Sequence, residues 1–354
     1  MEDEKQNLRE DQRRRLRDVL GLAISGISLI AVVWWASNQE RPRFPTGRVE
    51  LLELAACLLI YTVATLFRGW RWHTVLRLAH VDHARSDAYA LTVVGYMGNN
   101  VLPARSGELL RVLLLGERSS ARRRVILGSI IAERFLDLLT IVTLFALLTG
   151  ANVADKPLGL APLALVAGAA LAGGGVLAVL KGFRRRGRLE RFAELVRPFA
   201  HATRVLVGWS GALLAAVTVV VWLLEATIFW LVGDSLHLGF TPVEALFLVV
   251  LTSFVAIIPS GPGYIGTFEA AVVFGLHALD ITGGQAVAFA LLIRFVLYVP
   301  ITFAGLGLML GRYGGLPRLR IRGGDAQAPS RPEEADSRLG PAPERRSSPD
   351  RRPA

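Results

Sequence analysis

Apolar residues fall into six long runs, over about 19–36, 49–67, 125–149, 157–180, 205–232 and 285–311. Each is close to the ~20 residues that a helix needs to cross a bilayer, so each predicts a full transmembrane helix. Two further apolar segments, 86–115 and 243–279, are interrupted near their middles, the first by GNNVLPARSGE and the second by PSGPGYIGTFE. Proline removes a backbone donor and clashes with the preceding turn, so neither segment continues as a single helix. Broken backbone at membrane depth is tolerated where it is buried in protein or lines a wet cavity.

Arginine marks the loops unevenly. It clusters in residues 1–18, in RGWRWHTVLR, GERSSARRR and KGFRRRGR, and again after residue 311. By the positive-inside rule these stretches are cytoplasmic, and so are both termini. Basic loops flank 86–115 on both sides, so that segment enters and leaves from the cytoplasm. The loops around 243–279 hold almost no arginine, so that segment enters from the other face. The fold predicted is an all-α integral membrane protein with six full transmembrane helices plus two oppositely oriented re-entrant helical hairpins. Hairpins in corresponding halves are the signature of an inverted-repeat transporter. Residues 1–18 form a charged cytoplasmic N-terminus, 19–311 the polytopic membrane domain, and 312–354 a basic tail that its composition predicts to be disordered. Residues 189–203 read as an amphipathic surface helix. The expected location is a cell (inner) membrane of bacterial type.

The composition, 52% hydrophobic and 19% charged, excludes an ordinary soluble domain. The net charge of +11 comes from arginines beside apolar runs, which suits anionic lipid and argues against a nucleic-acid partner. The single cysteine, Cys57, excludes an intramolecular disulfide and a cysteine metal cluster. The histidines are scattered rather than paired at ligand spacing, and no GxxxxGK[ST] phosphate loop is present. No cofactor is expected.

Charges inside apolar runs are the candidate chemistry, because intramembrane ionisable residues mark pathways and relays. The first break carries Asn99, Asn100, Arg105, Glu108 and Arg111; the run 125–149 carries Glu133, Arg134 and Asp137; Glu225, Glu269 and Arg294 lie in later segments. Glu133 lies roughly 12 Å into its helix, near mid-membrane. Glu133 and Asp137 are four residues apart and repel if both are ionised. Either one is protonated, or an arginine such as Arg105 or Arg111 sits between them. A buried ion-pair staple is the alternative to a binding site. Arg68 and Arg71, interleaved with Trp70 and Trp72, also read two ways: as an interfacial anchor, or as a docking site for a lipid phosphate at the mouth of a pathway. In the second break Gly263 lies in an unwound tip and Glu269 begins the returning half-helix, whose free N–H groups favour an anion.

RGWRW, GNNVLPARSGELLR, ERFLDL and PSGPGYIGTFE, in this order and spacing, resemble the flippase-like transmembrane region of lysylphosphatidylglycerol synthases. A similar region occurs as stand-alone bacterial membrane proteins and in archaeal membrane glycosyltransferases. The resemblance spans about residues 19–311. It implies a lipid translocase, which moves aminoacylated phosphatidylglycerol between leaflets where it is fused to a synthase. Its motif positions fall on Arg68, Arg71, Trp72, Asn99, Pro103, Arg105, Gly107, Glu108, Arg111, Glu133, Arg134, Asp137, Pro259, Pro262, Gly263, Gly266 and Glu269. The polar stretch after Gly311 is too short for a soluble aminoacyl-transfer or glycosyltransferase domain, so synthase activity is not expected.

The leading expectation is a flippase-like transporter for a polar-headed lipid, either aminoacylated phosphatidylglycerol or a polyprenyl-phosphate-linked lipid. Arg105, Arg111 and Arg134 would hold phosphate; Glu108, Glu133, Asp137 and Glu269 would balance them or bind a cationic head. The partner is thus a membrane lipid with an anionic or zwitterionic head, together with a separate lipid-modifying enzyme where one is needed. The alternatives are a membrane enzyme acting on lipid-linked head groups, with Glu108, Glu133 or Asp137 as acid or base, and a non-transporting partner of a separate synthase or glycosyltransferase.

Overall fold

The computed structural model describes residues 26, 27, 29–102, 106–150, 208–255 and 261–315. The predicted span over 157–180, the predicted surface helix over 189–203 and the tail after 315 lie outside the described residues, as do Pro103, Arg105 and Pro259. Every described residue is helix, turn or connecting loop, and none is strand. A first helix, α1, covers 29–37. It is followed by α2 (Arg48–Leu78), α3 (Arg85–Val101), α4 (Gly107–Arg118), α5 (Arg123–Gly150), α6 (Trp209–Ser235), α7 (Pro242–Val255), α8 (Thr267–Ala278) and α9 (Gly283–Tyr313).

Among the described residues, α2, α6 and α9 are long and apolar enough to cross a membrane. Large apolar side chains such as Leu52, Leu59, Phe303 and Leu310 stand fully outside the core. In water that much exposed hydrocarbon surface would be a liability; in a bilayer it is the solvent-facing surface. The chain is a multi-pass, membrane-embedded helical protein.

From α2 onward the order long, short, short, long occurs twice. The helices α2, α3, α4 and α5 have 31, 17, 12 and 28 residues; α6, α7, α8 and α9 have 27, 14, 12 and 31. Each short pair is an antiparallel hairpin broken at its tip. Leu102 is extended, as expected for a residue before proline, and this ends α3. The Asn99 side chain then accepts the Gly107 backbone N–H at 3.0 Å and turns the chain into α4. The two arms touch through glycine: a Cβ on Gly107 would stand 1.9 Å from the Gly95 carbonyl oxygen.

One expectation fails at α2. Reading an interface at RGWRW ends the span near Phe67, yet the helix runs unbroken to Leu78. It stops only where His80 takes a left-handed φ of 55° and the Val81 N–H reaches back 2.9 Å to the Leu76 carbonyl. Arg68, Arg71 and Trp72 are therefore core residues rather than headgroup anchors. The helix α2 packs on α6, α3, α5 and α9, while α3 packs on α9 and on the turn at Pro262–Tyr264. Thus both broken tips converge on the middle of the bundle.

Candidate functional site

Along α2, Arg68 and Arg71 are three residues apart and so share a face directed at α5 and α6. They are 7% and 2% exposed, and a cation so buried requires a counter-charge. Arg71 answers the question posed by the two carboxylates of α5. It lies between them, with Nε 3.4 Å from Glu133 and Nη1 2.6 Å from Asp137. The same Nη1 donates to the Thr218 hydroxyl of α6 at 2.9 Å. From α4, Arg111 donates to the other Glu133 oxygen at 2.7 Å, and its guanidinium carbon lies 3.9 Å from the centre of the Trp72 ring. Trp72 in turn donates to Ser129 at 3.0 Å. Arg71, Trp72, Arg111 and Glu133 form a buried staple that joins α2, α4 and α5, with Thr218 tying it to α6.

A second layer lines open space. Arg68 pairs with Glu225 of α6 at 2.5 Å. Arg134 reaches Glu108 at 2.6 Å and Asp137 at 3.3 Å. Between these pairs are two neighbouring cavities, of about 150 Å³ and about 180 Å³, which share the walls Tyr96, Arg134, Glu225, Tyr264, Leu297 and Tyr298. Tyr61, Asn99 and Asn100 complete the first, while Arg68, Asp137 and Trp222 belong to the second. Asn100 is held by its side-chain amide, which donates to Thr302 of α9 at 2.8 Å.

The tip of the second hairpin closes this space from the α7–α8 side. Gly263 has a φ of 64°, and a Cβ there would meet the Asn100 carbonyl oxygen at 3.0 Å, so the two tips touch. Arg294 of α9 is ion-paired with Glu269 and donates to the Gly263 carbonyl at 2.6 Å. Glu269 also accepts the Gly266 N–H at 2.7 Å. The anion anticipated at the start of this half-helix is therefore the protein's own carboxylate.

The residues singled out from the sequence thus separate. Arg68, Asn99, Asn100, Arg134 and Asp137 border the cavities; Glu108 stands one ion pair behind them; Gly263, Glu269 and Arg294 build the second tip; Arg71, Trp72, Arg111 and Glu133 are packed away from the space. Sequence reasoning missed Tyr61, Tyr96, Tyr264 and Tyr298. A signal existed for two of them: Tyr61 is seven residues before Arg68 on the same helical face, and Tyr298 is four after Arg294, whose guanidinium carbon is 4.7 Å from its ring centre. Among the described residues no group of three or more His, Cys, Asp or Glu converges on a metal position.

A tyrosine-rich cavity with paired charges, beside two broken helical hairpins inside a lipid-facing bundle, is the architecture of a polytopic membrane protein with a polar interior, and the sequence comparisons supply its family, the lysylphosphatidylglycerol synthase TM region. The chain belongs to that family, whose pattern it matches over residues 19–305. It is 23% identical over 343 residues to the glycosyltransferase AglD of Haloferax volcanii, an overlap of 84% of this chain and 54% of that protein. It is 27% identical over 154 residues to a UPF0104 membrane protein of Pyrococcus horikoshii, covering 41% of this chain and 46% of the relative. A UPF0104 membrane protein of Methanothermobacter thermautotrophicus is 24% identical over 245 residues, covering 61% and 72%. The chain thus spans about half the length of the first two relatives. No solved structure matches it significantly.

Proposed function

We propose that this chain is a flippase-like transporter that carries a polar-headed lipid between leaflets, the head passing through the tyrosine-walled cavities while the tails stay in the bilayer. One observation carries the reading: Arg68, Arg134, Asp137 and Glu225, two cations and two carboxylates, border open space inside a bundle whose outer surface is hydrocarbon. A charged wall in a low-dielectric interior is costly unless something polar uses it. A groove of about 380 Å³ lined by Val32, Trp35, Val273, Phe274 and Ile281 offers apolar surface to the tails. The twofold order of long and broken helices supports an internal repeat; six full spans and two hairpins of opposite orientation rest on the apolar runs and the arginine pattern of the sequence. We place the protein in a cell membrane of bacterial type with both termini cytoplasmic, on the arginine pattern of its loops. No catalytic role is assigned to it.

The match to AglD supports a second reading, in which the chain is the membrane partner of a separate enzyme that acts on lipid-linked head groups. Proteoliposomes separate the two. Fluorescent phosphatidylglycerol, its lysyl form and a polyprenyl phosphate are each placed in one leaflet, and their movement is followed beside protein-free vesicles. The transporter reading predicts faster movement of at least one of them, slowed at least tenfold by Glu225→Gln. No acceleration of any of the three by folded protein favours the partner reading, which co-purification with an enzyme then tests.

A further inference from the structure

The cavity wall contains an imbalance that the ion pairs do not resolve. Arg68 is nine-tenths buried and gives Nη2 to Glu225, yet its Nη1 has no hydrogen-bond partner. On the facing turn of α6, three residues before Glu225, Trp222 also lines the cavity, and its indole Nε1 is buried and unpartnered as well. A buried donor left without an acceptor is destabilising, because it has lost its water and gained nothing in return. Two in one wall, Arg68 Nη1 and Trp222 Nε1, give a surface with two buried donors that no protein acceptor reaches. The nearby carboxylates are already engaged: Glu225 by Arg68, and Asp137 by Arg71 and Arg134.

We propose that this wall is a phosphoryl subsite, in which Arg68 Nη1 and Trp222 Nε1 swing inward to donate to the oxygens of a lipid phosphodiester. The proposal deepens the transporter reading and rests on it for the lipid. Phosphate suits the wall because it is all acceptor and matches the planar fork of arginine. Size narrows the head. A 150 Å³ cavity is known to hold benzene, so lobes of about 150 and 180 Å³ suit a phosphate carrying a small alcohol and exclude an oligosaccharide. Ser253 and Thr252, on the same wall, already donate to the Val249 and Leu248 carbonyls and leave the recognition to the arginine and the tryptophan.

The test is calorimetric binding to the detergent-solubilised full chain. The probes are dihexanoyl phosphatidylglycerol, dihexanoylglycerol (the same tails without phosphate) and inorganic phosphate. Trp222→Phe removes a single N–H and keeps the ring; Arg68→Lys keeps the charge facing Glu225 and removes the fork. Each is expected to weaken phosphatidylglycerol binding about tenfold, the value of one charge-assisted hydrogen bond, and to leave dihexanoylglycerol unchanged. Inorganic phosphate should compete weakly. Wild-type affinity for phosphatidylglycerol in either variant, at wild-type melting temperature, overturns the subsite, as does parallel loss of dihexanoylglycerol. Binding of inorganic phosphate without phosphatidylglycerol overturns the lipid assignment. If one variant fails to fold, the other decides. Unaltered binding alongside lipid movement in vesicles removes the subsite and leaves the transporter. Weakened binding without any lipid movement removes the transporter and leaves the subsite.

Discussion

Glu133 and Glu108 show how differently two intramembrane carboxylates can serve. Glu133, 3% exposed, is the shared counter-ion of Arg71 and Arg111. Removing its charge leaves two buried guanidinium groups under-compensated, and breaking a buried pair costs about 3–5 kcal/mol. Glu133→Gln should therefore lower the melting temperature sharply in detergent; an unchanged melting curve would show that the staple carries no stability. Glu108 pairs with Arg134 where both side chains are more than a third exposed, 35% and 39%. Such a pair contributes about 0–1 kcal/mol. Glu108→Gln should barely move the melting temperature while changing the rate of lipid movement, because it frees Arg134 to reorient in the cavity wall. A variant with both properties at wild-type values would place Arg134 outside the path. The pairing itself was hidden in the sequence. The charges of the α5 run are visible as a cluster, and an arginine between Glu133 and Asp137 follows from their repulsion, but which arginine does not. Arg71 lies 62 residues before Glu133, and the tryptophans beside it point to an interface. Only the fold shows that α2 continues past them.

Hairpins are specified by small residues where their arms cross. The Gly107 position cannot accept a Cβ because the obstacle, the Gly95 carbonyl, is backbone and cannot rotate away. Gly107→Ala should splay α3 from α4 and reduce both folded yield and melting temperature. Gly307→Ala, where a Cβ meets nothing within 4 Å, should leave both unchanged. Equal behaviour of the two variants would contradict the close crossing. At the base of the same hairpin one Asp87 oxygen accepts from Arg118 of α4 at 3.1 Å, from Arg312 of α9 at 2.9 Å and from the Tyr313 hydroxyl at 3.0 Å. Asp87→Asn should loosen this joint, read as faster amide hydrogen exchange over 85–89 and 114–118, with the core of α2 unchanged. Hairpin positions were legible from the sequence because proline, glycine and polar residues cluster near the middles of two apolar segments, whereas the lone Pro300 is carried inside α9. What was not legible is that the tips touch, since the contact between Gly263 and Asn100 joins segments 163 residues apart.

Among the described residues, two sets of four helices from α2 to α9 surround a polar cavity and turn apolar side chains outward. The family match covers residues 19–305. The class of protein could be read from motif order because the broken segments carry both the fold and the polar groups. The tyrosine walls could not, because an aromatic residue in an apolar helix reads equally as core. The central claim is that a lipid head enters these cavities. Its most direct test is phosphatidylglycerol bearing a photoreactive group on its head, irradiated in proteoliposomes with the cross-linked residues mapped by mass spectrometry. A head that enters the cavities gives adducts on Tyr61, Tyr96, Trp222 and Tyr298, suppressed by excess unlabelled phosphatidylglycerol. Adducts confined to the outer hydrocarbon face, at residues such as Leu52, Leu59 and Phe303, would contradict it.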